Sequence, residues 1–423
     1  MRHALLFAFV GLLLIAGCAG EAPEGPQLPP GSEAPGGAMI QPGPKVPEGP
    51  ESPAAEPPPG LPEGMLVDEV PADADVIFSS IRYVLSRPEC LDENYELKEN
   101  FINDAACNGL IYAYDGQLAS PRQLFVMDLE TGDVTQLTNI GCVFFSAQPI
   151  DRSTLMASAV CEDTTEDGML NDKDQPELYM LDLAGGEMDC LTCGYDLMSI
   201  NNPDYSHEQG KIVFSARDPR DLNHIYTIDA EKELVMVTND SNYWDFDCAW
   251  FDDGSGIVFN RLPNQSFPWT IPSQVWVMGV DGGNQVQITE GGPDIFDEKI
   301  FGIYPIGIDA DPDTGPDNSK VVFSRLKTGQ ENWPYGVYEL RVVDLESRGV
   351  EVLDSKYANM LPEWKEGGIV MLRQIGTDED LVDPMELKQS LYLYKDGEFT
   401  DLEGYPYNVF PLGAYSASWI EYG

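Results

Sequence analysis

One unit recurs down the last four-fifths of the chain. Its clearest copy is IVFSARDPRDLNHIYTIDAEKELVMVTND, residues 212–240. A run carrying Ile212 and Phe214 leads into a polar loop. A second strand pattern follows at Ile225-Tyr226-Thr227-Ile228-Asp229, then a turn, then a third at Val235-Met236-Val237-Thr238. Alternation of apolar with small or polar residues marks a half-buried strand. The order returns as LIYAY with QLFVMDLETGDVTQLT (123–138) and as TLMASA with ELYMLDLAGGEMDCLT (177–192). It returns again as GIVFN with QVWVMGVDGGNQVQIT (274–289), KVVFSR with YELRVVDLESRGVEVL (338–353), and GIVML with SLYLYKDGEFTDL (390–402). An acidic residue precedes each turn: Asp128, Asp182, Asp229, Asp281, Asp344 and Asp396. A repeat of roughly 40–50 residues carrying four strands is the signature of a propeller blade. The chain reads as an all-β propeller with six complete repeats. Strand patterns left over at both ends (VIFSSIRYVL and NVFPLGAYSASWIEYG) predict a composite closing blade, and favour a seventh blade over a six-bladed ring.

The residues of the third and fourth copies carry a family resemblance. Pro203-Asp204-Tyr205-Ser206 before KIVFS, and Ala249-Trp250-Phe251 before GIVFN, resemble the TolB-type, WD-repeat-like propeller repeat of bacterial envelope proteins. The likeness spans about residues 100–405. It implies a fold and a cell-envelope setting. It does not imply an activity, because propellers host many.

The first 17 residues have a basic start and an uninterrupted apolar run, the pattern of an export signal. Ile15-Ala16-Gly17-Cys18 resembles the bacterial lipobox, which implies cleavage before Cys18 and acylation of its sulfur and amine. The alternative is an ordinary secretory signal with an incidental cysteine. Ala19 stands where an inner-membrane retention aspartate would, so the resemblance implies an outer-membrane anchor. Residues 18–75 are rich in Pro, Gly and Glu and lack the apolar side chains for a core, which predicts a disordered tether. Extended, such a tether reaches on the order of 100–150 Å. Residues 76–423 are then the propeller.

Seventy-two acidic residues against 24 basic give a net charge of −48. Phosphate backbones need Lys and Arg stripes, so nucleic acid is excluded as a partner. The charge reads as a solvated surface, as cation-loaded loops, or as the mark of a basic partner. The sharpest local motif, Asp163-Thr-Thr165-Glu-Asp167-Gly168-Met169-Leu170-Asn171-Asp-Lys-Asp174, matches a twelve-residue calcium loop. Its ligands would be Asp163, Thr165, Asp167, the Met169 carbonyl, Asn171 and Asp174, with Gly168 at the sharp turn. The alternative for the same stretch is an acidic surface loop in which Gly168 simply makes a turn. A second cluster, Asp309, Asp311, Asp313 and Asp317, has carboxylates at every second position that could meet one cation, but its prolines and spacing fit no standard metal loop and favour a plain turn between the first two strands of that blade.

Exported chains meet oxidising conditions, so disulfides are expected. Cys142 with Cys161, Cys90 with Cys107, and Cys190 with Cys193 are the expected pairs, which leaves Cys248 free and buried. The CxxC opens no helix, and two further zinc ligands are not evident. His207 and His224 read as polar surface residues. No nucleophile elbow, zincin motif or phosphate loop occurs. Long loops at about 162–176, 260–273, 325–336 and 373–389 share one face, and their aromatics Phe267, Trp269, Trp333 and Tyr335 are candidates for a partner face or for satellite core.

Two functions fit. The first is a lipid-anchored, calcium-stabilised envelope propeller that binds a protein or glycan without catalysis. It predicts a shallow or plugged channel and a broad patch. The second is a carbohydrate-active lyase or hydrolase using axial carboxylates, which predicts a deep axial pocket.

Overall fold

The computed structural model describes residues 65–80, 112–114, 117–119, 122–165, 170, 174–263, 273–290, 309–327, 337–375, 388–402 and 414–422. Among them stand six four-stranded antiparallel blades. Five are consecutive in sequence, with innermost strands Val143–Pro149, Met198–Ser206, Tyr243–Trp250, Asp309–Thr314 and Ala358–Lys365 (blades two to six). Blade one is composite. Ala414–Trp419 is its inner strand, followed outward by Val76–Ser80, Gln123–Met127 and Val134–Gln136. Inner strands of successive blades contact one another around the ring, including Ala414–Trp419 with those of blades two and six.

The composite closure is therefore present, but the ring closes at six blades and not seven. LIYAY does not supply the second strand of the first repeat. Tyr112–Tyr114 pairs with Gln117–Ala119 as a separate hairpin, and Val76–Ser80 takes the place in the blade. A second correction concerns the tether. Met65–Leu66 pairs with Thr138–Asn139, and Val70 is fully buried, its backbone exchanging hydrogen bonds with Arg152. The folded body thus reaches back to residue 65, because Val70 fills the apolar cluster between blades one and two.

The repeated residues have physical roles. Second strands are buried on both faces, not one: Lys211–Arg217 is buried throughout except at its ends. Each lies between two neighbouring blades, and Phe78, Phe214, Phe259 and Phe323 occupy the same position in four of them, all sealed from solvent. In blades one to four an apolar residue followed by threonine ends the repeat and ties the outer strand to the third. Thr138, Thr192, Thr238 and Thr289 accept the N–H of Leu124, Leu178, Ile225 and Val275 at 2.9–3.0 Å. The residue before each threonine donates its own N–H to the carbonyl of that same third-strand residue. The acidic markers close the hairpins: Asp128, Asp182, Asp229, Asp281 and Asp344 accept backbone N–H groups two to four residues on.

The Cys142–Cys161 and Cys190–Cys193 disulfides are both formed. Cys248 is free and buried. Cys90 and Cys107 lie outside the described residues.

Buried ion pairs pin inner strands to second strands. Arg261 forms a two-pronged bridge to Asp245 at 2.6 and 2.8 Å, with both side chains buried and the guanidinium against Tyr243, Phe259 and Trp276. Arg325 grips Asp309 in the same way, while Arg373, on the second strand of blade six, pairs across the blade boundary with Asp354 at the end of blade five's outermost strand. Removing one partner strands a buried charge. Arg261→Ala is expected to destabilise the fold by roughly 3–5 kcal/mol, read as a lower midpoint in urea unfolding.

Candidate functional site: the axial cavity

Inner strands of blades two to six each carry a bulge midway: between Phe144 and Ser146, Asn201 and Asp204, Phe246 and Ala249, Ala310 and Asp313, and Met360 and Glu363. In four blades the bulged residue is left-handed, with φ of 46° at Asn202, 45° at Asp247, 49° at Asp311 and 48° at Leu361. Asn and Asp tolerate this conformation and a leucine does not do so readily. The bulge turns one side chain of each strand toward the axis, and the residue two further on does the same.

The result is two stacked rings around a cavity of about 580 Å³. The first ring includes Asn202, Asp247, Asp311 and Leu361. The second includes Gln148, Asp204, Ala249, Asp313, Glu363 and Ser418. Thr164, Asp174, Met198 and Arg217 also line the cavity. These residues belong to the start of an inner strand, the end of a second strand and a loop between second and third strands, so the mouth opens on the long-loop face.

The second ring latches blade to blade. Gln148 Oε1 accepts the N–H of Tyr205 (2.7 Å), Asp204 Oδ2 that of Trp250 (2.6 Å), Asp313 Oδ2 that of Trp364 (2.6 Å), and Glu363 Oε1 that of Trp419 (3.0 Å). Gln148 Nε2 also donates to Asp204 Oδ1 at 2.8 Å. Lys365 is the cation beside this ring, while Arg122 and Arg217 line the cavity elsewhere. The Lys365 ammonium contacts Asp252, and it lies in the field of Asp313, Asp204 and Glu363. Burial pulls the Lys365 pKa down, but these carboxylates outweigh it and the net shift is upward. Burial raises the carboxyls too. Asp313 is pushed up to about 7, with Lys365 pulling it back, and Glu363 to about 8, with the charge of Asp313 adding to the effect. Asp204 is raised for the same primary reason.

The first ring holds a carboxyl pair. Asn202 Nδ2 donates to Asp247 Oδ1 (3.1 Å) and Asn260 Nδ2 to Asp247 Oδ2 (3.2 Å), while Asp311 Oδ2 accepts the N–H of Leu361 (3.2 Å). Burial raises both, and the charge of Asp311 raises Asp247 further. Two buried carboxyls that feel each other in this way retain a proton near neutrality. Tyr338 sits in the field of both, and its hydroxyl is pushed up, first by burial. The buried thiol of Cys248, also raised by burial, lines the same wall.

Several expectations meet this geometry. The cluster Asp309, Asp311 and Asp313 is not a plain turn. It is the inner strand of blade five, and only Asp317 lies in the turn that follows, accepting from Ser319. Asp309 grips Arg325, and the bulge after Ala310 turns Asp311 and Asp313 to the axis. Of the twelve-residue loop, Asp163, Thr165 and Asp174 are described, and Asp167, Met169 and Asn171 lie outside the described residues. Asp174 is buried and folds back on the start of the loop, accepting from the N–H of Thr164 (2.8 Å) and of Thr165 (3.0 Å). Phe267, Trp269, Trp333 and Tyr335 also lie outside. His207 is exposed, its Nε2 3.1 Å from the Glu421 carbonyl. His224 is not a surface residue. It is fully buried, 3.9 Å from Asp218, with neither ring nitrogen hydrogen-bonded, and burial lowers its pKa. It occupies the third-strand position that carries Gln123 or Glu177 in earlier blades.

Among solved structures the fold has clear relatives. Its structural neighbours include TolB-type β-propellers. TolB from Acinetobacter baumannii is 12% identical with a TM-score of 0.49, covering 83% of this chain and 68% of that one. A TolB from Agrobacterium tumefaciens is 16% identical with a TM-score of 0.47, covering 65% and 86%. Hydrazine synthase from Kuenenia stuttgartiensis is 13% identical with a TM-score of 0.50, covering 83% and 47%. At these identities the likeness is one of fold alone. No protein-family profile matches the chain, and no curated protein does.

Reading the sequence by itself does not bring Asp204, Asp247, Glu363 and Lys365 together as one site. Aligning Asn202-Pro203-Asp204, Asp311-Pro312-Asp313 and Leu361-Pro362-Glu363 in register is the signal that finds the rings.

The raised carboxyls tie stability to pH. Glu363 binds its proton more tightly folded than unfolded, so between pH 4.5 and about 8 the unfolded chain holds fewer protons and stability falls as pH rises. Glu363→Gln is expected to flatten the decline over that window, measured by urea unfolding at a series of pH values.

Proposed function

We propose that this protein is a non-enzymatic binding module of the bacterial cell envelope, whose axial cavity receives a positively charged group of a partner protein. A lipid on Cys18 would hold it at the outer membrane, and the Pro/Gly/Glu-rich segment would let the propeller reach outward. The observation that carries the reading is the cavity itself: a mouth on the long-loop face and a wall of Asp204, Asp247, Asp311, Asp313 and Glu363, with Lys365 already engaged at one end. Such a wall favours an ammonium or guanidinium over a neutral or anionic ligand, since the ligand charge replaces the proton the carboxyl pair retains. Binding should therefore tighten as pH rises through neutrality. Titration calorimetry with a short arginine-bearing peptide and its citrulline counterpart tests this. The arginine peptide alone should bind, and Asp311→Asn should weaken it by at least about 30-fold. Equal binding of both peptides would overturn the reading.

A second reading rests on the Asp247–Asp311 pair. The axis holds an open cavity and not the shallow or plugged channel expected of a pure binding module, and a cavity walled by two electrostatically coupled carboxyls is also what an acid–base lyase or hydrolase of glycans needs. Both Asp247 oxygens are, however, taken by the amides of Asn202 and Asn260, which favours a structural or binding role. Release of reducing ends from an envelope polysaccharide, abolished by Asp247→Asn, would decide for catalysis.

Calcium at the 163–174 loop belongs to the same proposal. Thr164 and Asp174 stand at the cavity mouth, so an ion there would fix the rim. A ligand that binds only the folded state must stabilise it. Millimolar calcium after chelation is expected to raise the melting temperature of the wild type and not of Asp167→Ala. An equal rise in both would remove calcium from this loop.

A further inference from the structure

The CxxC at the outer edge of blade two has a third member that sequence spacing does not reveal. Glu177 opens the third strand, Cys190 ends the outermost strand, and Tyr179 lies opposite Cys190 in the ladder. A Glu177 carboxylate oxygen and the sulfurs of Cys190 and Cys193 all lie within 4.8 Å of one another. We propose that the Cys190–Cys193 disulfide is a redox lock on a zinc site. When it is reduced, the two thiolates and Glu177 bind one Zn²⁺, and when it is oxidised the site does not exist.

The surroundings are those of an oriented ligand set. Thr192 Oγ1 donates to Glu177 Oε2 at 2.5 Å, and Gln175 Nε2 donates to Glu177 Oε1 at 3.0 Å, which fixes the carboxylate plane. Thr192 is itself held, accepting the N–H of Leu178 at 2.9 Å. The backbone N–H of Cys193 points at Cys190 Sγ, 3.1 Å away, a contact that favours a thiolate or a metal-bound sulfur. The counterpart pair in blade one, Gln123 with Thr138, has the same hydrogen bond at 2.9 Å but an amide where blade two has a carboxylate. Blade two thus keeps the threonine, has an acid where blade one has an amide, and adds two sulfurs beside it.

The geometry needs little change. Zinc–sulfur bonds of about 2.3 Å at a tetrahedral angle place two sulfurs roughly 3.8 Å apart. The two Cα atoms are 5.8 Å apart, and Cys193 is exposed in a turn closed by the Tyr195 N–H to Thr192 carbonyl bond. Opening the sulfurs to that distance is a side-chain movement. Glu177 is the third ligand and water the fourth, as in an open three-ligand site.

Atoms and electrons balance with an external dithiol as reductant. One of its thiolates attacks exposed Cys193 Sγ and the S–S electron pair leaves on Cys190 Sγ, which takes a proton. The second external sulfur then displaces Cys193, which is released as a thiol, and the reductant departs as a disulfide. Zinc binding displaces the two thiol protons to solvent.

The test uses the full chain, treated with a phosphine reductant that is then removed without air. Cobalt(II) is added as a spectroscopic probe, and zinc affinity is read by competition with a chromophoric chelator. Reduced wild type should take up one equivalent and show thiolate-to-cobalt charge-transfer bands. These should be absent from untreated protein and from Cys190→Ser/Cys193→Ser, and should persist in Cys142→Ser/Cys161→Ser. Glu177→Gln should weaken zinc roughly tenfold or more. If the double serine variant does not fold, alkylation mapping of reduced wild type replaces it: zinc should protect Cys190 and Cys193. Bands that survive in Cys190→Ser/Cys193→Ser, zinc that leaves both cysteines open to alkylation, or an affinity unchanged in Glu177→Gln would overturn the proposal.

Discussion

The inner edge of a propeller is its difficulty. Each innermost strand is an edge strand, with a row of backbone N–H and C=O groups turned away from its own blade and toward neighbours that splay past it without forming a ladder. Here the difficulty is met by a side chain from the preceding blade, repeated around the ring. Gln148, Asp204, Asp313 and Glu363 each accept one such N–H in the next blade. The last of these closes the circle, because Trp419 is on the strand contributed by the C-terminal segment. Gly367, at the turn between the first two strands of blade six, lies so close to the Trp419 ring that an added Cβ would stand 2.3 Å from it. The seam is held by hydrogen bond and by packing together.

Latching with carboxylates has an electrostatic consequence. An amide such as Gln148 does the same work without charge, yet three of the four latches are acids. Burying them raises their affinity for protons and gathers them around Lys365. The bulge that aims the latch also aims the residue two positions earlier, so Asp247 and Asp311 arrive at the axis with it. The acidic cavity and the ring closure are in this sense one device. Any ligand drawn by the cavity presses on the groups that hold the blades together, which couples occupancy to stability.

Repetition explains what the sequence discloses. The terminal threonine performs the same hydrogen bond in blades one to four, and the turn aspartate does so in blades one to five, so they recur as letters and can be read. The inner strands recur in backbone shape more than in letters. Gln148, Asp204, Ala249, Asp313, Glu363 and Ser418 share one place in the fold, yet only aspartate occurs there twice, and register is what reveals it. Asp309, Asp311 and Asp313 look like a turn because Asp and Pro are turn residues, and tertiary context overrides that preference. LIYAY is a faithful strand pattern in the wrong strand, since composite closure lets Val76–Ser80 come from far upstream. His224 looks like surface because a lone polar residue at a strand start usually is. The repeat places it in a third-strand position that is buried in blades one, three and five (Gln123, His224, Glu339) and half-buried in the others.

Among the described residues both disulfides belong to blade two, and its place in the ring supplies a reason. It adjoins composite blade one, whose inner strand is separated in sequence from its other three by the whole propeller. Cys142–Cys161 joins the start of blade two's inner strand to the end of its second. The Cys142 carbonyl accepts from Gln123 of blade one at 3.0 Å, and the neighbouring Phe145 carbonyl accepts from Ser79 and Ser416 of the same blade. The bridge therefore stiffens the element against which the closing strand docks, and it restricts the unfolded chain at the same point. Cys190–Cys193 is at the other rim of the same blade, spans only three residues, and restricts the unfolded chain far less. A short loop, an exposed sulfur and an oriented acid beside it describe a bond whose opening matters more to chemistry than its presence matters to the fold.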